Sequence, residues 1–218
     1  MKTLATFYDL IMPELPGIST ALVDQYLIQM AREICEHSRA WREDFDATDA
    51  FAGQATYDVF APETKAELVA VHKLTVGSVL LFDDSWRMPI TRYELDTADA
   101  PKYRKDNPPF SISADLTQLT LIDDEIPSAD AVGSILITGS MKPAMDATSL
   151  PDWLYVVHAR TLKSAVLSAL MAQAGKPWSA PAQSGLYAAD YASRLQFAAT
   201  NAQTGNTRRV LRTRQSGI

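Results

Sequence analysis

Hydrophobic period changes twice along this chain, and that double change limits how it can fold. From Leu22 to Ile34 apolar residues return at helical spacing, between 43 and 142 they gather in short β-type runs, and after Pro151 the helical spacing resumes. Each helical end has one apolar face too wide to leave in water. The shortest remedy is for the two ends to cover each other while the middle folds as its own layer. The expected class is α+β. Residues 1–42 and 143–205 form a helical bundle, 43–142 an inserted antiparallel β domain of sandwich type, and 206–218 an extended basic tail.

In the first part, Ser19 or Thr20 can cap a helix after the breaker Pro16-Gly17. Leu22, Tyr26, Met30 and Ile34 fall at four-residue steps, with Val23, Leu27 and Ala31 alongside and Asp24, Gln25, Arg32, Glu33 and Glu36 on the solvated side. Leu4, Phe7, Tyr8 and Ile11 predict a shorter amphipathic helix ending near Pro13. In the third part, Pro151-Asp152 opens a helical run through Leu154, Val157, His158, Thr161, Leu162, Ala165, Val166, Ala169 and Leu170, which stops at Gly175-Lys176-Pro177. A last helix from about Pro181 to Ala202 aligns Tyr187, Tyr191, Leu195 and Ala198, and Gly205 ends it.

The middle part predicts strands at Thr56–Phe60, Leu68–Val71, Val79–Phe82, Leu116–Leu121 and Ser134–Thr138, punctuated by Gly53, Gly77, Pro89 and Gly133. No long helical pattern separates them, so antiparallel pairing is expected in place of βαβ units. Between two of these strands, DTADAPKYRKDNPP (96–109) holds three prolines and almost no apolar residue. A segment longer than a hairpin loop is a candidate for contact or for mobility.

Composition sets the remaining bounds. A chain of 218 residues that is 47% hydrophobic can fill a core, and 21 Gly plus Pro exclude collagen-like and low-complexity classes. The apolar runs are too short and interrupted to span a bilayer, and the start MKTLATFYDLIMPELPG lacks a signal-type apolar block, so neither a membrane protein nor a secreted one is expected. The net charge of −6 argues against a body that grips nucleic acid by counterion release. That charge is unevenly placed: NTRRVLRTRQSGI (206–218) carries four arginines and no acid, leaving −10 on everything before it.

Chemistry-bearing patterns are sparse. No phosphate-cradling glycine loop, nucleophile elbow or zincin motif occurs, and His37, His72 and His158 each lack a second ligand at i+3 or i+4. Asp83-Asp84 and Asp123-Asp124-Glu125 read as solvated turns, since they lack the glycine and ligand spacing of a calcium loop. Cys35 beside Ile34 reads as a buried structural thiol. No catalytic, cofactor-binding or metal-binding residue is assigned. Trp41, Trp153 and Trp178 stand near helix ends, where a large ring can close a packing layer or anchor an interface.

A helix ending in EHSRAWRE (36–43), a β-rich middle, LPDWLYVVHARTLKSA (150–165), GKPWSAP (175–181) and a final helix bearing Tyr and Phe follow one another in this order. That order resembles the head-to-tail adaptor proteins of tailed bacteriophages, also called connector or head-completion proteins, in the larger β-inserted kind similar to tail tubular protein A of short-tailed phages. The resemblance implies a structural virion protein with no enzymatic activity and no cofactor. It implies a homo-oligomeric ring, usually of twelve copies, beneath the portal protein. The ring would join the DNA-filled head to a tail nozzle or tail tube, and genomic DNA would pass through its lumen without sequence-specific binding. The place implied is the virion neck, with the host cytoplasm as the site of assembly.

On that footing Arg208, Arg209, Val210, Leu211, Arg212 and Arg214 are expected to dock on the portal. Lys102, Tyr103, Arg104 and Lys105 are expected to make intersubunit or tail contacts, and the lumen is expected to be acidic or neutral. The alternatives are a tail-tube or tail-terminator protein, a small DNA-binding protein using the arginine tail, and a hydrolase using Asp83 or His158.

Overall fold

The computed structural model describes residues 1–63, 65–83, 110–122 and 125–203. It is a mixed α+β structure whose strands all pair antiparallel. Contacts divide it into two compact units, Met1–Ala40 together with the described residues from Ser149 onward, and Trp41–Thr148.

In the first unit, β1 (Lys2–Thr3) pairs with β10 (Ser149–Leu150), and the Met1 amine meets Asp152 at 3.0 Å. A run of 3-10 and α-helical turns follows over Leu4–Glu14, with α1 at Tyr8–Ile11, and it buries Leu4, Phe7 and Ile11. Phe7 meets Tyr155 edge-to-face with centroids 5.4 Å apart. Helix α2 (Thr20–Ser38) ends where Arg39 turns left-handed at φ 50° and returns its amide to the Cys35 carbonyl. Its buried face is centred on Val23, Leu27, Ala31 and Ile34, with Ile28, Met30 and Cys35 beside them. Leu22 and Tyr26, expected at the centre of that stripe, lie at its margin, and there the Tyr26 hydroxyl accepts the Gln173 amide at 2.8 Å. Tyr8 donates to Asp24 at 2.7 Å, and that bond, with burial, pushes its phenol up to about 12.

The helical run expected from Asp152 to Leu170 is bent. Helix α3 (Asp152–Val156) gives way to α4 (Ala159–Met171) at Val157 and His158; Val157 stays in the right-handed α region at −104°/−39°, and His158, at −115°/15°, leaves it. The bend lets Leu154 and Leu162 both reach the core while Val156 and Val157 face water. Helix α4 is buried almost all round, by Thr161, Leu162, Ser164, Ala165, Val166, Leu167, Leu170 and Met171, because α1, α2, α3 and α5 (Pro181–Gln203) all pack on it. Helix α2 also touches α5.

In the second unit the central strand is β9 (Ala131–Pro143), flanked by β5 (Ala66–Val76) on one side and by β2 (Arg42–Asp44) and β3 (Thr48–Ala50) on the other. Alternate residues Ile135, Ile137, Gly139, Met141 and Pro143 are buried, as a strand with one packed face requires. Opposite them β5 buries Leu68, Val71 and Leu74, which are three residues apart. Bulges at Val69 and His72 reconcile the two spacings and keep Leu68, Val71 and Leu74 opposite Met141, Gly139 and Ile137. A two-residue turn led by Gly77, at φ 60°, returns the chain into β6 (Val79–Asp83). A separate sheet orders β4 (Thr56–Asp58), β8 (Gln118–Leu121) and β7 (Phe110–Ile112). Leu116, expected in a strand, instead takes φ 60° in the turn between β7 and β8, where Asp115 accepts the Ser113 hydroxyl and the Thr117 amide.

Candidate interaction surface

Helices α4 and α5 meet along an open cleft of about 710 Å³ lined by Glu14, Arg160, Lys163, Ser164, Gln183, Leu186, Tyr187 and Asp190. Its charges are largely matched from within. Lys163 reaches Glu14 at 3.1 Å, and Asp190 accepts the Arg194 guanidinium at 2.8 Å and the Ser164 hydroxyl at 2.6 Å. A serine bonded to a carboxylate is also the geometry of an activated nucleophile, so the Ser164–Asp190 pair calls for a choice. The hydrogen bonds from Arg194 and Ser164 hold the Asp190 carboxyl below its ordinary range, which makes it a poor base, and Ser164 is itself buried. The pair is a clasp between α4 and α5. Ser184, donating to the Ser168 carbonyl at 2.8 Å, makes a second.

The other titratable candidates sit apart from one another. Burial pushes the Cys35 thiol up to about 12, with the Glu36 charge adding to it, so it is an inert core group. His37 lies at the exposed end of α2, its Nδ1 3.3 Å from the Glu33 carbonyl. His72 is buried in β5. His158, expected on a helix face, is the residue before α4 and stacks edge-on against Trp153 at 5.2 Å; burial lowers its pKa. Burial, then the neighbouring Glu33 carboxylate, pushes the Tyr191 phenol up. Asp83 closes β6, Asp84, Asp123 and Asp124 lie outside the described residues, and among the described residues no group of three His, Cys, Asp or Glu side chains is placed to hold a metal ion. Nor is any helix among them long and apolar enough to cross a membrane.

Of the aromatic candidates, Trp41 is buried in the second unit and donates to Glu43 at 2.7 Å, while its carbonyl takes the Met141 amide. Trp153 in α3 and Trp178 in the turn between α4 and α5 are half-buried, each with an indole N–H that is shielded and has no partner among the described residues. Lys102, Tyr103, Arg104 and Lys105 lie outside the described residues, as do Arg208, Arg209, Val210, Leu211, Arg212 and Arg214.

What the residue patterns missed is the exposure of two apolar residues of α5. Tyr187, Tyr191, Leu195 and Ala198 do face inward, wholly or in part, yet Leu186, which also lines the cleft, and Phe197 are left exposed. The signal was available as scarcity of charge: α5 has only Asp190 and Arg194, both half-buried and paired with each other. Val156 and Val157 form a second exposed apolar pair in the same unit, and Phe60 and Val132 stand out from the other. No family's sequence profile matches this chain, and comparison with curated proteins finds no match.

Proposed function

We propose that the chain is a structural virion protein, a head-to-tail adaptor that forms a ring, of twelve copies by the resemblance, beneath the portal and lines the channel through which DNA leaves the head. The observation that carries this reading is the packing of α2 on α4 and α5 across more than a hundred intervening residues, which themselves fold as a separate β unit. That packing agrees with one thing the resemblance implies, helices from both ends of the chain brought together around a β-rich middle; the projecting sandwich and the C-terminal segment reaching for the portal belong to the proposal. Exposed apolar side chains in both units supply surfaces for neighbours. The channel role suits a body with a charge of −10 before residue 206, since a lumen without a cationic trap lets the phosphate backbone slide.

The test is completion of heads. Purified chain added to DNA-filled, portal-bearing heads is expected to bind at the portal vertex and to stop loss of DNA, and particles made without it are expected to remain tailless. Finding the chain along the tail or at its far end would assign it to the tube or the terminator and overturn the proposal.

A further inference from the structure

The cleft between α4 and α5 holds one charge more than it matches. Its two carboxylates are both taken, Glu14 by Lys163 at 3.1 Å and Asp190 by Arg194 at 2.8 Å. Arg160, which lines the cleft from α4, is exposed and makes no ion pair or hydrogen bond among the described residues. After the Arg194 and Ser164 bonds, its charge also helps to hold the Asp190 carboxyl down, so Arg160 stands near Asp190 without closing on it. Three cations against two carboxylates leave one uncompensated positive charge.

The position of the other lining groups narrows what can carry the opposite charge. Helices α4 and α5 run antiparallel, since Ser164 meets Asp190 and the Ser168 carbonyl meets Ser184. Arg160 and Asp190 therefore mark one end of the cleft and Gln183 the other. Gln183 and Asp190 are seven residues apart on α5, about 10 Å at ~1.5 Å per residue. That is the span of about three residues of extended chain at ~3.3 Å each. Between the ends stand Leu186 and the half-buried Tyr187 ring, an apolar wall, and the side chains of Gln183 and Tyr187 make no hydrogen bond among the described residues. A polyanion fits poorly, because Glu14 and Asp190 repel every charge beyond the first. The cleft is open, so a chain can run on past either end and one Asp or Glu side chain suffices. We propose that the cleft binds an extended acidic segment of a partner protein. Its carboxylate takes the Arg160 guanidinium edge with two parallel hydrogen bonds, an apolar side chain lies on Leu186 and Tyr187, and the backbone beyond bonds the Gln183 amide.

The probe is the blocked tripeptide acetyl-Glu-Leu-Ala-amide, titrated into the full chain and followed by backbone amide NMR shifts. It is expected to move resonances from residues 160–164 and 183–190 before any others. The isosteric acetyl-Gln-Leu-Ala-amide is expected to bind roughly tenfold more weakly, the effect of losing one hydrogen-bonded charge. Acetate, which cannot reach Leu186, Tyr187 or Gln183, is expected to bind more weakly than either peptide. Arg160→Gln changes an exposed side chain with no partner among the described residues, so it is expected to keep the wild-type melting temperature. It is expected to bind the Glu and Gln peptides alike. The proposal is overturned if the Glu peptide moves no resonance of the cleft, if wild type binds both peptides alike, or if Arg160→Gln keeps the preference for Glu. Acetate binding as tightly as the Glu peptide would reduce the site to a simple anion contact and overturn it too. A short DNA duplex that moves the same resonances more tightly than the peptide would assign the cleft to nucleic acid, with the same result. None of these outcomes depends on the ring, so a chain that fails them and still completes heads leaves the adaptor reading standing.

Discussion

Neighbouring residues of β9 show how differently one added methylene or one lost hydroxyl weighs in a packed sheet. Gly139 lies among the buried alternate residues, where a Cβ would come within 2.7 Å of a Leu68 methyl and 3.1 Å of the Phe45 ring. Leu68 and Phe45 are both buried, so neither can swing away freely. Gly139→Ala is expected to cost about 1–3 kcal/mol by overpacking, read as a lower denaturant midpoint at unchanged slope. Ser140, next along the strand, buries a hydroxyl with no partner among the described residues. Ser140→Ala is therefore expected to be neutral or to stabilise by up to about 1 kcal/mol, and a clear loss of stability would show that the hydroxyl is bonded. A third expectation concerns Asp190. Its carboxyl lies below the ordinary 3.8 because Arg194, then Ser164, bond the charged form. A depressed folded-state pKa contributes stability that is whole above the unfolded value near 4 and is lost as pH falls through the folded one. Thermal melts from pH 7 down to about pH 2 should thus show a shallower acid decline for Asp190→Asn than for wild type.

Single elements show which features could be read from the residues and which needed coordinates. The helix at Thr20–Ser38 and a break between strands at Gly77 were legible, because four-residue apolar steps mark a helix and a glycine between runs of β-formers marks a chain reversal, though not its two-residue length. Strand β5 was read only over Leu68–Val71, since two bulges spread its buried residues three apart and break the alternation that marks a strand. The strands β2, β3 and β7 were invisible: Arg-Glu-Asp and Thr-Asp-Ala are poor β-formers that pair because β9 and its neighbours offer them unpaired backbone groups. The bend at His158 went unread for a related reason, since the amides of His158 and Leu162 still bond four residues back and the spacing of apolar residues hardly changes across it. At the end of α2, Arg39 sits left-handed without being glycine. A β-branched residue tolerates that region least, so Arg39→Val is expected to cost about 1–2 kcal/mol in thermal or chemical unfolding. An unchanged midpoint would mean that the cap can relax.

For the molecule as a whole, the legible part was the mixed α+β class with antiparallel strands, because the change of hydrophobic period is a property of long segments and survives local errors. Leu186 and Phe197, exposed on α5, escaped notice because reading one apolar stripe inward leaves the other positions of the helix looking merely small and polar. Charge gives the largest-scale expectation. Everything before residue 206 carries −10 and the last thirteen residues carry +4, so attraction for DNA is expected to come from the four arginines of the last segment. Each neutralised phosphate contributes about −0.9 to the slope of log affinity against log salt, which caps the slope near −3.6 for duplex DNA. Binding of short duplexes by the full chain is therefore expected to be weak and to fall away with salt no more steeply than that cap. The chain cut after residue 205 is expected to show no binding and to melt at the same temperature. Titrations by fluorescence anisotropy across a tenfold range of salt decide it. A steeper slope, or binding by the shortened chain, would reveal a cationic surface on the body, and a body that held the phosphate backbone would obstruct the passage of DNA that the proposed channel requires.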